Sequence, residues 1–152
     1  MIQIAAACRI DPVQYDIELT ETALLTDSPV TMENFAALKR LGFAIVLDDF
    51  GTGYSSLRLL HRFRVDKIKI DRSFVADLGQ SVEAETLVGA IVKLARSFHL
   101  GIIAEGVETE IQKDLLIAAG CHEFQGYLTG RPATVESVAA LFANPAGSLL
   151  RA

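Results

Sequence analysis

Five short apolar runs along the chain each end on a polar residue and hand over to a loop. The runs are YDIE, FAIVLD, VDKIK, LGIIAE and HEFQ, and the polar residues are Glu18, Asp48, Lys69, Glu105 and Gln125. Their length and apolar content predict β-strands, and the segments between them repeat apolar positions at helical spacing. The N-terminus, IQIAAACRI, reads as part of a helix ending near Asp11-Pro12. A strand follows over Tyr15–Leu19 and a loop over Thr22–Pro29. Thr31 starts a helix with Phe35, Leu38 and Leu41 on one face and Gly42 as its C-cap. Then come a strand over Phe43–Asp48, the turn Gly51-Thr52-Gly53, a short helix over Ser55–His61 and a strand over Val65–Ile70. A long helix over Ala84–Phe98 leads to a strand over Leu100–Glu105. Thr109 caps a helix that runs through Ala118 and closes at Gly120. Cys121–Gln125 is the fifth strand, and a last helix starts near Val135 and fades by Asn144-Pro145.

Alternating strands and helices predict an α/β fold, either a (β/α) barrel or an open sheet. The usual eight-stranded barrel takes about 250 residues. About five strands therefore predict a partial TIM-like barrel, the C-terminal portion of one, occupying residues 1–152 as a single domain. In such a barrel the carboxyl ends of the strands open onto one face, where active sites form. The polar ends of the five runs would converge there. Side chains alternate faces along a strand. Phe43, Ile45 and Leu47 thus lie opposite Ala44, Val46 and Asp48. Likewise Lys67, Lys69 and Asp71 lie opposite Ile68 and Ile70, Glu18 lies opposite Tyr15 and Ile17, and Glu105 shares its face with Gly101 and Ile103. The bulky sets are expected to pack on helices and the polar or smaller sets to face the barrel axis. A strand-end charge is often only solvated; five in phase make a candidate site for divalent metal and a phosphorylated substrate.

The composition narrows the partners. The chain is 51% hydrophobic with mean hydropathy +0.34, enough to fill a core. No run is long and apolar enough to span a membrane, and no secretory signal pattern is present. Two cysteines, Cys8 and Cys121, give no disulfide framework, which points to a reducing, cytoplasmic setting. A net charge of −5 argues against a duplex nucleic-acid binder. Phosphate remains a possible substrate group because bound cations reverse local charge. Three other motifs fail for want of companions. Asp49-Phe50-Gly51 lacks the rest of a kinase set, Gly51-x-Gly53 has Ser56 where a dinucleotide fingerprint needs glycine, and Cys121-His122 has no partners at zinc spacing.

Four segments are far more specific: Asp48-Asp49-Phe50-Gly51-Thr52-Gly53-Tyr54-Ser55-Ser56-Leu57, Lys69-Ile70-Asp71-Arg72-Ser73-Phe74-Val75, Ala104-Glu105-Gly106-Val107-Glu108-Thr109 and Gln125-Gly126-Tyr127-Leu128. With Glu18-Leu19-Thr20-Glu21 ahead of them, the chain closely resembles EAL-domain cyclic di-GMP phosphodiesterases, from about Asp16 to Pro132 and more loosely beyond. The resemblance implies a modified TIM barrel that hydrolyses cyclic di-GMP to linear pGpG with two Mg²⁺ or Mn²⁺ ions. It implies Glu18, Asp48, Asp49 and Glu105 as metal ligands or members of the metal shell. Lys69 is implied as the lysine that orients or deprotonates the attacking water, and Gln125 as a water-shell amide. Glu21 is implied as a brace for the Asp49–Tyr54 loop, a loop that also serves dimerisation. Asp71, Glu108, Arg131 and Pro132 are candidate substrate contacts.

The sequence departs from the family pattern. The naming Glu-Ala-Leu segment with its metal-ligand glutamate is absent, as are the following Asn-bearing strand and a phosphate-binding arginine; all belong upstream of Met1. Thr129 stands where an aromatic residue is common. The isolated chain is therefore expected to bind metal weakly and to hydrolyse little. The alternatives are a degenerate module that binds cyclic di-GMP or a protein without hydrolysis, and a partial barrel that self-associates as a homodimer or is completed by an N-terminal segment.

Overall fold

A computed structural model describes residues 11–25, 28–52 and 56–143. The helix expected over residues 2–10 lies outside them. The described chain opens with a single 3₁₀ turn, Pro12–Gln14, capped by the Asp11 carboxylate, which accepts the Val13 N–H. Five strands follow: β1 (Asp16–Thr20), β2 (Ala44–Phe50), β3 (Lys67–Ile70), β4 (Gly101–Glu105) and β5 (Glu123–Gln125). They form one sheet in sequence order, every pair parallel. The α/β class and the five strands expected from the sequence are those observed. Seven helices join or follow them: α1 (Glu21–Leu25), α2 (Pro29–Arg40), α3 (Ser56–Arg62), α4 (Arg72–Ala76), α5 (Val82–Ser97), α6 (Glu110–Ala119) and α7 (Val135–Ala143). None is long and apolar enough to cross a membrane.

Two helices correct the sequence reading. The stretch read as a loop from Thr22 to Pro29 begins with α1, and α4 occupies a stretch to which no element was assigned. Both are five residues long, too short to show a helical period. Each is fixed by context. Leu24 of α1 is buried against β1, β2 and α3, and Asp71 caps α4 by accepting from the Ser73 N–H at 2.9 Å. The longer helices start earlier than expected, because Ser28 and Ser81 are their N-caps and Pro29 sits at the first position of α2. Gly42 stands one residue past the cap of α2, which is Leu41. Thr109 and Gln112 form a reciprocal capping box at α6, and Gly120 ends that helix in the left-handed region at φ 101°.

The predicted parity holds through the sheet. Ile45, Leu47, Ile68, Ile70, Ile102 and Ala104 face the helices and join the core with Val88, Ile91, Val92 and Ala95 of α5. Those four helix positions recur at the spacing that lays one stripe on a sheet. Burying side chains of this size contributes about 1.5–3 kcal/mol each before conformational entropy is charged against it. The other face carries Asp16, Glu18, Ala44, Val46, Lys67, Lys69, Gly101, Ile103, Glu105, Glu123 and Gln125, neighbours in register across the strands.

That second face is concave. In a flat sheet β1 and β5 would lie about 19 Å apart, four spacings of about 4.8 Å. Yet the Lys67 ammonium, on the central strand, reaches Glu123 of β5 at 2.8 Å and Asp16 of β1 at 3.2 Å. The sheet is thus curled as a segment of a TIM-like barrel wall, and its edges are β1 and β5.

Candidate metal centre

The site is built around Lys69. It lies on the axis face of β3, 4% exposed. Its ammonium donates to Glu18 at 3.1 Å and stands 3.6 Å from Asp48 and 3.9 Å from Glu105. These partners come from β1, β2 and β4, so curvature and register set the spacing. Burial works against the Lys69 charge; the Glu18 hydrogen bond and the charges of Asp48, Glu105 and Glu18 outweigh it, and its pKa lies above the ordinary lysine value.

Asp48 and Asp49 are consecutive, yet both serve the same side. Successive residues of a regular strand point to opposite faces, and the sequence placed the pair where strand gives way to loop. β2 instead continues to Phe50 and bulges. Leu47 pairs with Ile68 and Phe50 with Ile70, so two residues of β2 stand where β3 offers only Lys69. Asp49 adopts φ 55°, a left-handed conformation that aspartate tolerates better than most residues. Its N–H donates to the Asp48 carboxylate at 3.0 Å. One oxygen each from Asp48, Asp49 and Glu105 then fall within 4.8 Å of one another. Glu18 lies outside this trio and is engaged by Lys69.

The trio is electrostatically crowded. Burial raises the Asp49 pKa, with Asp48 and Asp71 adding to it against Lys69. Burial also raises that of Glu105, again with Asp48 and Asp71 adding to it against Lys69. Asp71 goes the other way, because the Ser73 hydroxyl and backbone hold its charged form. Hard oxygen donors that repel one another fit a hard divalent cation, which would relieve the repulsion.

The remaining candidates divide into two places. Glu21 is buried under the loop after β2, and its Oε1 accepts the Gly51 N–H at 3.2 Å. Gly51 has φ 100°, and a Cβ there would sit 2.9 Å from the Phe74 ring. Glu108, Gln125, Arg131 and Pro132 line a cavity of about 520 Å³ that ends on Glu105. Gln125 pairs with Glu105 across the β4–β5 ladder. Arg72 and Tyr127, singled out by no sequence argument, also line it. The Arg131 guanidinium lies 4.2 Å from the Tyr127 ring centroid. Spacing alone could not have shown that stack, because it depends on a loop that returns on itself through the Leu128 N–H to Val107 O bond.

Comparison with known proteins places this geometry. The EAL domain family model matches residues 2–132. The bifunctional diguanylate cyclase/cyclic di-GMP phosphodiesterase MucR of Pseudomonas aeruginosa is 40% identical over 131 residues, 86% of this chain and 19% of MucR. The crystal structure of the EAL domain of Mycobacterium smegmatis DcpA aligns with a TM-score of 0.87 at 37% identity, over 93% of this chain and 64% of that one. The manganese/cyclic di-GMP complex of Klebsiella pneumoniae BlrP1 aligns with a TM-score of 0.80 at 36% identity, over 87% of this chain and 34% of that one. The chain spans about a fifth of the length of the curated relatives it matches. With the family model covering most of its length and the strand-end carboxylates gathered on one lysine, the chain belongs to the EAL domain family.

Proposed function

We propose that this chain carries the strand-end half of a metal-dependent phosphodiesterase site that opens cyclic di-GMP to linear pGpG. The observation that carries the reading is the trio of Asp48, Asp49 and Glu105 oxygens within 4.8 Å of one another beside the Lys69 ammonium. These three residues would hold a divalent cation, Mg²⁺ or Mn²⁺, with Glu18 joining when it leaves Lys69. Bound cations would supply positive charge to the phosphodiester and make water a stronger nucleophile.

The chain's own residues do the rest. Lys69, protonated and nearly buried, holds the carboxylates in place and offers a fixed positive charge to the phosphoryl oxygens. Asp71, kept anionic by Ser73, adds negative potential that draws cations to Asp49 and Glu105. Glu21 fixes the backbone after Asp49 through Gly51. The cavity beside Glu105 is the size of a nucleotide pocket; Tyr127 with Arg131 offers a stacking surface for a guanine base, and Glu108, Gln125 and Pro132 complete its wall. Water adds to phosphorus, the ester bond to one ribose oxygen breaks, and that oxygen leaves with a proton.

A second reading is binding without turnover. The Glu18–Lys69 bond favours it, because that carboxylate is already neutralised and only three others gather. Chromatography of cyclic di-GMP incubated with the chain and Mn²⁺ separates the two. Formation of pGpG that stops in Asp48→Asn supports hydrolysis; saturable binding with no pGpG supports the second reading; neither binding nor product rejects both. A complementing N-terminal segment or a homodimer is proposed as the assembly that would raise activity.

A further inference from the structure

At the opposite end of the same sheet face lies a second lysine-centred cluster that the proposed reaction does not use. Lys67 sits two residues before Lys69 on β3, at the end away from the carboxylate trio. It is paired with Asp16 on β1 and Glu123 on β5. Its path to β5 runs directly over Gly101 of β4, its register partner. A Cβ on Gly101 would lie 2.8 Å from Lys67 Cγ. The lysine stem therefore occupies the space where any other residue would place a side chain. Asp16 and Glu123 belong to the two edge strands, so one ammonium connects both edges of the sheet through its centre.

We infer that Lys67 is a positioning residue for the metal centre: by tying Asp16 to Glu123 across Gly101 it fixes the curl of the sheet. That curl sets the distances from Lys69 to Glu18 and Glu105. The geometry carries the inference. Glu18 lies two residues beyond Asp16 on β1, and Glu105 and Gln125 stand at the site end of the ladder that joins β4 to the Glu123 strand. If the edges splayed at one end, the carboxylates at the other would separate, because strands transmit a change in curl along their length. Residues that orient ligands without touching the metal typically change affinity about 10–100-fold when removed.

This inference rests on the cation-binding reading above, and a simple electrostatic role predicts the opposite sign. Removing a positive charge near a cation site should strengthen cation binding. Loss of a positioning tie should weaken it. Calorimetric titration of Mn²⁺ into the full chain decides between them. Lys67→Met is expected to lower affinity about tenfold, and Lys67→Arg to restore most of it. Gly101→Ala, which displaces the stem and keeps the charge, is expected to weaken binding as well. Unchanged or tighter binding in Lys67→Met and Gly101→Ala would overturn the inference.

A second arm needs no metal. Nitroxides on Tyr15→Cys and His122→Cys, in a Cys8→Ala background, report the separation of the β1 and β5 edges by pulsed electron resonance. The distance distribution should lengthen or broaden in Lys67→Met and narrow again in Lys67→Arg; an unchanged distribution rejects the tie. Should wild type take up no Mn²⁺, the cation-binding reading fails and this arm alone decides. Should Lys67→Met not fold, Gly101→Ala is read in both arms in its place.

Discussion

Glu21 and Gly51 are joined across thirty residues of sequence: the buried glutamate accepts the glycine N–H at 3.2 Å. The bond ties the start of α1 to the loop that leaves the β2 bulge. It is the contact through which Glu21 would brace that loop.

Glu21→Ala is therefore expected to cost about 1.5–3 kcal/mol, the usual worth of a hydrogen bond to a charged group. Urea unfolding measures it. Glu21→Gln keeps an acceptor and should lose less. Mn²⁺ affinity should fall in the alanine variant as well, since Asp49 sits two residues before Gly51. An alanine variant as stable as wild type would show that the bond does not hold the loop.

Asp49→Asn should separate stability from binding. The fold raises the pKa of Asp49 and Glu105. A raised carboxyl value means that the ionised form is disfavoured by folding. Without metal, the contribution of these two groups to stability is greatest below the ordinary carboxylate range and falls as pH rises through the folded values. At neutral pH the penalty is fully present, and asparagine removes it at Asp49. Asparagine also tolerates the left-handed φ. The metal-free variant should melt about 1–3 °C higher than wild type, while Mn²⁺ affinity drops. A lower midpoint by calorimetry would contradict this account.

Lys69→Met removes the centre of the cluster and leaves Glu18, Asp48 and Glu105 facing one another. Breaking a buried ion pair costs about 3–5 kcal/mol; partners that remain partly hydrated bring the expected loss to about 1–3 kcal/mol. Mn²⁺ should recover part of it by replacing the lost charge, and pGpG formation should cease. The raised pKa of Lys69 means that its contribution is complete below the ordinary lysine value and disappears only as pH rises through the folded value. The gap between wild type and variant should thus be constant from pH 6 to 9 and close in strong alkali. Melting curves at these pH values test it.

Cys121 is fully buried, and burial pushes its thiol to about 11. Its Sγ faces the carbonyls of Ile102 and Glu123. At pH 8 it should resist a disulfide reagent in the folded chain and react at once in urea. Rapid reaction in the folded Cys8→Ala variant would show that the β4–β5 end opens freely.

The edges of the described sheet, β1 and β5, predict association, because unpaired strands recruit partners. Light scattering over a range of concentrations should show dimers or larger species. A single monomeric mass at every concentration would reject this.

The parts legible in the sequence were those set by alternation. A period of two fixed which residues of FAIVLD and LGIIAE face helices, and hence that Lys69 and Glu105 share a face with Asp48. Five-residue helices such as Glu21–Leu25 carry no period and could not be read. Asp49 was recognisable by its motif, yet its route to the same side as Asp48 needed a bulge, and an extra residue in a ladder leaves no mark on hydrophobic pattern. The Lys67 tie was hidden for a different reason. It depends on curvature accumulated over five strands, a property of no single segment.

The bulge in β2 also bears on how such a protein can change over generations. Because it consists of one surplus residue, loss of the Asp49 codon alone would restore an unbroken ladder. Phe50 would keep its place against Ile70, and the apolar interior would be untouched. The lesion would remove one of the three clustered carboxylates and leave the architecture standing. On the proposed function, inheritance thus has a one-step path that dismantles the metal centre and spares the fold.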